Sequence, residues 1–184
     1  MRDSEGITNS LGPDWRVAPD GVRERDAARV ILLDGDGRAL LLRSHDVDQP
    51  ERSWWFTLGG GIDPGETPVE AALREVREEA GLVLSPDDLE GPVLTRSALF
   101  DFYAETCRQH EVFFLARVSA GALAFDRSGW TAIERETIDD LAWLGAADLR
   151  AQPLEVFPHE LPEILDDLAA GWDGRARHLG PQRG

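Results

Sequence analysis

The chain contains no lysine: its 19 basic residues are all arginine, set against 35 aspartates and glutamates, for a formal net charge of −16. The absence excludes Schiff-base chemistry on lysine and a P-loop lysine. So acidic a surface repels polyanionic nucleic acid and anionic membrane at long range. The expected partner is therefore a small molecule, and a phosphate ligand would need local arginines to offset the field. A single cysteine, Cys107, excludes an intramolecular disulfide, which fits a reducing cytoplasm. No apolar run approaches the roughly 20 residues of a membrane span, and Met1–Gly12 lacks a signal-peptide-like apolar stretch.

What is present reads as one globular domain: 184 residues, 42% hydrophobic and 29% charged, with no internal repeat. Residues 1–24 read as an arm rich in Gly, Pro, Asp and Ser, residues 25–172 as the domain, and the Gly- and Arg-rich residues 173–184 as a loose tail. Ala27–Leu33 and Ala39–Leu42 flank Asp34-Gly35-Asp36-Gly37, a hairpin pattern. Trp54–Leu58 is a strand running into Gly59-Gly60-Gly61. Pro68–Ala80 is the best-marked helix: Thr67 with Glu70 forms a capping box, Pro68 takes the first helical position, and Gly81 stops it. Strands are expected at Val93–Leu94, Ala98–Tyr103, Glu111–Val118 and Leu141–Leu144, with a helical turn at Ala146–Leu149 and an amphipathic helix over Glu160–Ala170.

The chemistry is concentrated between Gly60 and Leu82. Glu75, Glu78 and Glu79 stand at i, i+3 and i+4 and share one helix face. Three like charges so close repel one another and raise each other's pKa, a cost that a hard dication with oxygen ligands removes. Arg74 is four residues from both Glu70 and Glu78 and can brace the array. The glycine run brings backbone to the same face.

Read as a string, the segment is Gly60-x5-Glu66-x7-Arg74-Glu75-Val76-x-Glu78-Glu79-x-Gly81-Leu82. It resembles the complete Nudix box, the signature of the Nudix hydrolases; seven fixed identities match, on the order of 10⁻⁷ by accident at ordinary residue usage. Leu58 stands where members often carry proline. The resemblance implies an α/β/α sandwich, a mixed β-sheet between helices, from about Arg25 to Ala170. It implies Mg²⁺, or Mn²⁺, held by Glu75, Glu78 and Glu79 with the Gly59 carbonyl, and Glu66 and Arg74 bracing the loop. The implied reaction is hydrolysis of the diphosphate bridge of a nucleoside diphosphate derivative by water attack on phosphorus. A homodimer is implied by analogy alone.

For the general base, the loop Trp130–Asp140 offers Glu136 first and Glu134 second, then Asp139 and Asp140; Glu111 is a separate candidate if its strand turns odd positions to the cleft. Arg43, Arg96 and Arg108 are phosphate-grip candidates, since arginine forks match phosphate oxygens. Trp55, with Trp54, Phe56 and Phe102, is a candidate for stacking on a base, against a stronger expectation of core packing. His45 and His110 are minor pocket candidates. The proline or tyrosine that marks ADP-ribose and diadenosine polyphosphate subtypes is absent from Leu94–Phe102, and Tyr103 is a poor substitute. Two rivals remain open: an isomerase like isopentenyl diphosphate isomerase, which would need Cys107 in the pocket, and a binding module that keeps the fold without the reaction.

Overall fold

A computed structural model describes residues 12, 14–46, 49–102, 105–119, 128, 130 and 132–183. The strands are β1 (Arg16–Val17), β2 (Arg23–Leu33), β3 (Ala39–His45), β4 (Ser53–Gly61), β5 (Glu90–Phe102), β6 (Glu105–Arg117), β7 (Ile138–Leu144), β8 (Glu155–Phe157) and β9 (Arg177–Arg183). The α-helices are α1 (Pro68–Ala80), α2 (Ala132–Thr137), α3 (Ala146–Ala151) and α4 (Leu161–Ala169). The sheet order is β7-β3-β4-β2-β6-β5-β9, with β1 added to β2 and β8 to β4. It is mixed: β2 runs parallel to β6 and antiparallel to β4.

Two cores lie on the two faces of this sheet, which is why β2 is apolar on both sides. Ile31 and Leu33 pack with Leu41, Phe113 and Leu115 under Leu149, Leu161, Ile164, Leu165 and Leu168 of α3 and α4. Ala28, Val30 and Leu32 pack with Leu58 and Phe114 under Ala71, Ala72, Val76 and Ala80 of α1. A strand covered on both faces reads as a continuous hydrophobic run, as Ala27–Leu33 does. The result is the expected α/β/α sandwich.

Helix α1 has the ends its residues predict. The Thr67 hydroxyl accepts from the Glu70 N–H at 3.2 Å, the Glu70 carboxylate accepts from the Thr67 N–H at 2.8 Å, and Gly81 closes the helix at φ 68°.

The chain ends depart from the sequence reading. Trp15, assigned there to the arm, is buried against Cys107 and Phe100, with the Arg25 guanidinium 4.6 Å from its ring. Arg177–Arg183, read as a loose tail, runs parallel to β5 as strand β9. A polar edge strand gains its stability from backbone pairing and carries no alternating apolar signal, so composition alone does not reveal it. Among the described residues, no helix is long and apolar enough to cross a membrane.

Candidate active site

Strand β4 is the pivot of the site. Its first half pairs with β3 on one side and β8 on the other, and its second half leaves both to pair with β2 through Leu58–Gly61. That switch puts the three glycines directly under α1. Gly60 admits no side chain, because a Cβ there would fall 2.5 Å from a Glu75 carboxylate oxygen. Gly59, at φ 129°, donates its N–H to Glu79 at 2.7 Å.

The helix face buried here is Ala72, Val76 and Ala80 together with Glu75 and Glu79, so two of the box acids lie on the covered side of the helix. Small Ala71 and Ala72 let the helix approach the strands closely enough to cover them. Glu75 and Glu79 are joined by Glu134 of α2, and ligand atoms of the three carboxylates lie within 4.8 Å of one another. Helix α2 is pinned at both ends: the Trp130 indole N–H, just before it, donates to the Glu79 carbonyl at 3.1 Å, and the Ser44 hydroxyl donates to the Thr137 carbonyl at 2.8 Å. Burial pushes Glu75 up to about 7, against the opposing pull of Arg74 and with the charges of Glu134 and Glu78 adding to the rise. Burial and Glu75 together hold Glu79 well above the carboxylate range. Three acids forced together with too little counter-charge make a donor set suited to a divalent cation.

Arg74 braces this array. It donates to Glu66 at 2.9 Å, to Glu75 at 2.7 Å, to the Gly61 carbonyl at 2.9 Å and to Glu78 at 3.3 Å. Glu78 keeps 35% of its side chain exposed and is held at Arg74 outside the three-acid group. The Gly59 carbonyl, expected to face the metal, accepts from Arg29 at 3.1 Å.

The acids line one wall of a cavity of about 440 Å³. The same cavity is lined by Arg25, Arg29, Arg96, Gln109 and Glu111, and by the aromatic residues Trp54, Phe56, Phe100 and Phe157. Glu111 is fully covered and lies between two cations: Arg29 on one oxygen, and Arg96 at 2.5 Å on the other. Despite its burial, the two guanidinium groups hold its carboxyl below the usual range.

The sequence candidates therefore divide. Arg96 lines the cavity. Arg43 stacks 5.8 Å from Trp55, and Trp55 is itself in the core under α3 and α4, so neither lines the cavity. Arg108 is taken by Asp20 at 2.7 Å and Glu24 at 3.3 Å. Glu136 is exposed on α2, where a helical turn aims Glu134, two residues earlier, at the acids instead. Asp139 pairs with His45 at 3.0 Å, Asp140 accepts from the Leu141 N–H, and His110 lies 3.6 Å from Glu24. Cys107 is buried under Trp15, its thiol pushed up to about 11 by burial, and is absent from the cavity lining. The Phe102 side chain and Tyr103 lie outside the described residues. Asp14, Arg25, Arg29 and Phe157 escaped the sequence reading. Only Arg29 left a signal, a single charge within the apolar run Ala27–Leu33, and Arg25 lies at even spacing from it, on the same strand face.

A family model described as the NUDIX domain matches residues 23–168. The chain is 31% identical over 153 residues to the 8-oxo-dGDP phosphatase of Homo sapiens, covering 80% of this chain and 39% of that protein. It is 40% identical over 63 residues to an RNA pyrophosphohydrolase of Erythrobacter litoralis, covering 34% of this chain and 37% of that protein. It is 30% identical over 127 residues to the nucleoside triphosphatase NudI of Salmonella agona, covering 68% of this chain and 85% of that protein. The chain thus spans well under half the length of the first two relatives. Among solved structures, a MutT NUDIX hydrolase from Burkholderia pseudomallei superposes with a TM-score of 0.52 at 26% identity, over 78% of this chain and 96% of that one.

Proposed function

Because the chain belongs to the Nudix hydrolase family, we propose that it is a Mg²⁺-dependent pyrophosphohydrolase that splits the diphosphate bridge of a nucleotide-derived small molecule. The observation that carries this reading is the convergence of Glu75, Glu79 and Glu134 in a cavity that Arg25, Arg29 and Arg96 also line.

In this reading Glu75, Glu79 and Glu134 hold the ion, and Glu78 extends the acidic rim at the mouth. Bound there, Mg²⁺ offsets charge on the bridging phosphates and acidifies the attacking water. Glu134 is the least covered of the three acids and so the one open to solvent, and it accepts the water's proton. Arg29 and Arg96 line the same cavity and present forks to phosphate oxygens. The leaving phosphate departs along this pair, where two guanidinium groups for one carboxylate leave an excess positive charge.

The relatives are named for acting on 8-oxo-dGDP, on RNA and on nucleoside triphosphates. A net charge of −16 disfavours a long RNA and leaves small nucleotides. The test is a panel of nucleoside di- and triphosphates, nucleotide sugars and dinucleotides with Mg²⁺ in ¹⁸O-labelled water, the products read by mass spectrometry. Label entering one phosphate product, only when Mg²⁺ is present, is the expected result. No metal-dependent turnover anywhere in the panel would leave the binding-module reading in its place.

A further inference from the structure

Glu111 sits at the centre of a set of bonds that the reaction outlined above does not use. Its Oε2 accepts from Arg96 at 2.5 Å; its Oε1 accepts from Gln109 at 2.6 Å and from the Nε of Arg29. With both oxygens taken and no exposed surface, it cannot receive a proton from water in the cleft. Arg29 does not stop at Glu111. Its Nη1 donates onward to the carbonyls of Thr57 and Gly59, each at 3.1 Å. Gly59 in turn donates its N–H to Glu79 at 2.7 Å.

We infer that Glu111 is a positioning residue for the acidic centre, acting through Arg29 and the backbone of Gly59 on Glu79. The inference rests on the proposed metal-binding role of Glu79. The route runs from β6 to β2 to β4 to α1, and each step is a hydrogen bond.

The physical case rests on what each group can do. Glu111 fixes the Nε edge of a planar guanidinium, and a guanidinium fixed at one edge has no freedom to turn at the other. Arg29 therefore holds two alternate strand carbonyls, those of Thr57 and Gly59, in a set direction. Gly59 lies at φ 129°, a conformation with no intrinsic preference over its neighbours for glycine, so an outside restraint decides it. Its carbonyl is tied to Arg29 and its N–H to Glu79, so the residue is clamped from both sides. The Gly59 N–H, 2.7 Å from a Glu79 oxygen, fixes the direction of that carboxylate. Keeping that N–H in line keeps Glu79 ready to meet a cation.

Arginine at both partners of Glu111 makes the discriminating experiment possible, since only Arg29 touches Gly59. Full-length Arg29→Lys and Arg96→Lys proteins are stripped of metal, and Mn²⁺ binding is followed by EPR with no nucleotide present. Exchange of the Gly59 amide in the metal-free state is read by NMR. Lysine keeps a charge for Glu111 but has no fork to span Glu111 and the carbonyls together. Arg29→Lys is expected to weaken Mn²⁺ binding about 10- to 100-fold, the usual range for a group that orients a ligand, and to speed Gly59 exchange. Arg96→Lys is expected to stay within about twofold in affinity on the same scale. Equal losses in the two variants, or unchanged affinity and exchange in Arg29→Lys, would overturn the inference. If Arg29→Lys does not fold, Glu111→Asp is read instead: it keeps the charge one methylene short, and unaltered Mn²⁺ affinity there overturns the inference equally. Wild-type protein that binds no Mn²⁺ removes the metal reading and this inference together, whereas equal losses with normal wild-type binding remove this inference alone.

Discussion

Glu79 and Glu111 are buried alike, each 3% exposed, in the lining of one cavity, and their carboxyls are driven in opposite directions. Glu79 is pushed up, first by burial and then by the charges of Glu75 and Glu134, which the Gly59 N–H and Arg29 only partly offset. Glu111 is pulled down, because Arg29 and Arg96 outweigh the cost of its burial. Burial by itself therefore does not say what a buried acid is for; the charges around it do. The Glu111 carboxylate is satisfied as it stands, with a guanidinium on each oxygen. Glu79 belongs to a group of acids whose mutual repulsion a cation relieves.

The largest effect expected from disturbing this contrast is on stability at the satisfied carboxylate. Glu111→Gln leaves two buried guanidinium groups without their carboxylate, and removing one partner of such a set costs about 3–5 kcal/mol. Urea unfolding measures it, and a loss below 1 kcal/mol would mean the two acids differ less than their geometry indicates. Glu79→Gln is expected to do the reverse. In EDTA it removes repulsion, so Tm should hold or rise, while kcat with Mg²⁺ falls at least about 100-fold, the upper range for groups that merely orient a metal ligand. A variant that loses Tm and keeps its activity would invert the assignment.

A third test uses pH. Glu75, pushed up to about 7 by burial, keeps its proton in the folded state where the unfolded chain has already lost it. Its contribution is therefore fully present below the ordinary value of 4.5 and is lost as pH rises through about 7. The metal-free protein should lose stability across that window. Divalent ion binding should tighten with rising pH there and release protons, which calorimetry in buffers of different ionisation enthalpy reports. The Tm difference between Mg²⁺ and EDTA should grow from pH 5.5 to 8; a constant gap would separate Glu75 from the metal centre. The last test concerns α2. Glu134→Gln is expected to lower kcat about 10²–10⁴-fold, as loss of a general base does, whereas exposed Glu136→Gln should stay within about twofold on the same scale.

How much of this was legible in advance depended on whether the relevant residues are neighbours along the chain. Helix α1, its caps and the shared face of Glu75 and Glu79 follow from spacings of three and four residues, and short-range geometry is written in the sequence directly. The buried strand at Ala27–Leu33 followed from its apolar run, and the Arg74–Glu78 contact from their spacing of four, whereas Glu70 bonds Thr67 rather than Arg74. The strand β9 did not follow, because an exposed, polar strand is defined by its partner β5 rather than by its own residues. Trp15 was likewise unreadable within a Pro- and Gly-rich arm, since its burial depends on Phe100 and Cys107, more than eighty positions away.

The box from Gly60 to Leu82 pointed by itself to the family, through that resemblance to the sandwich, and directly to the acid-bearing helix face, which depends on residues within two helical turns of one another. Only the tertiary structure decided which acid completes the group and what lines the cavity with it. Glu134 reaches Glu75 and Glu79 because Trp130 and Ser44 pin both ends of α2, and Glu136 faces out for the same reason. Glu111, an open candidate for the base on the sequence, is surrounded by arginines of β2 and β5 at separations of 82 and 15 residues. Whether a buried carboxylate repels or is satisfied is a property of the charges folded around it, and no spacing along one strand records that.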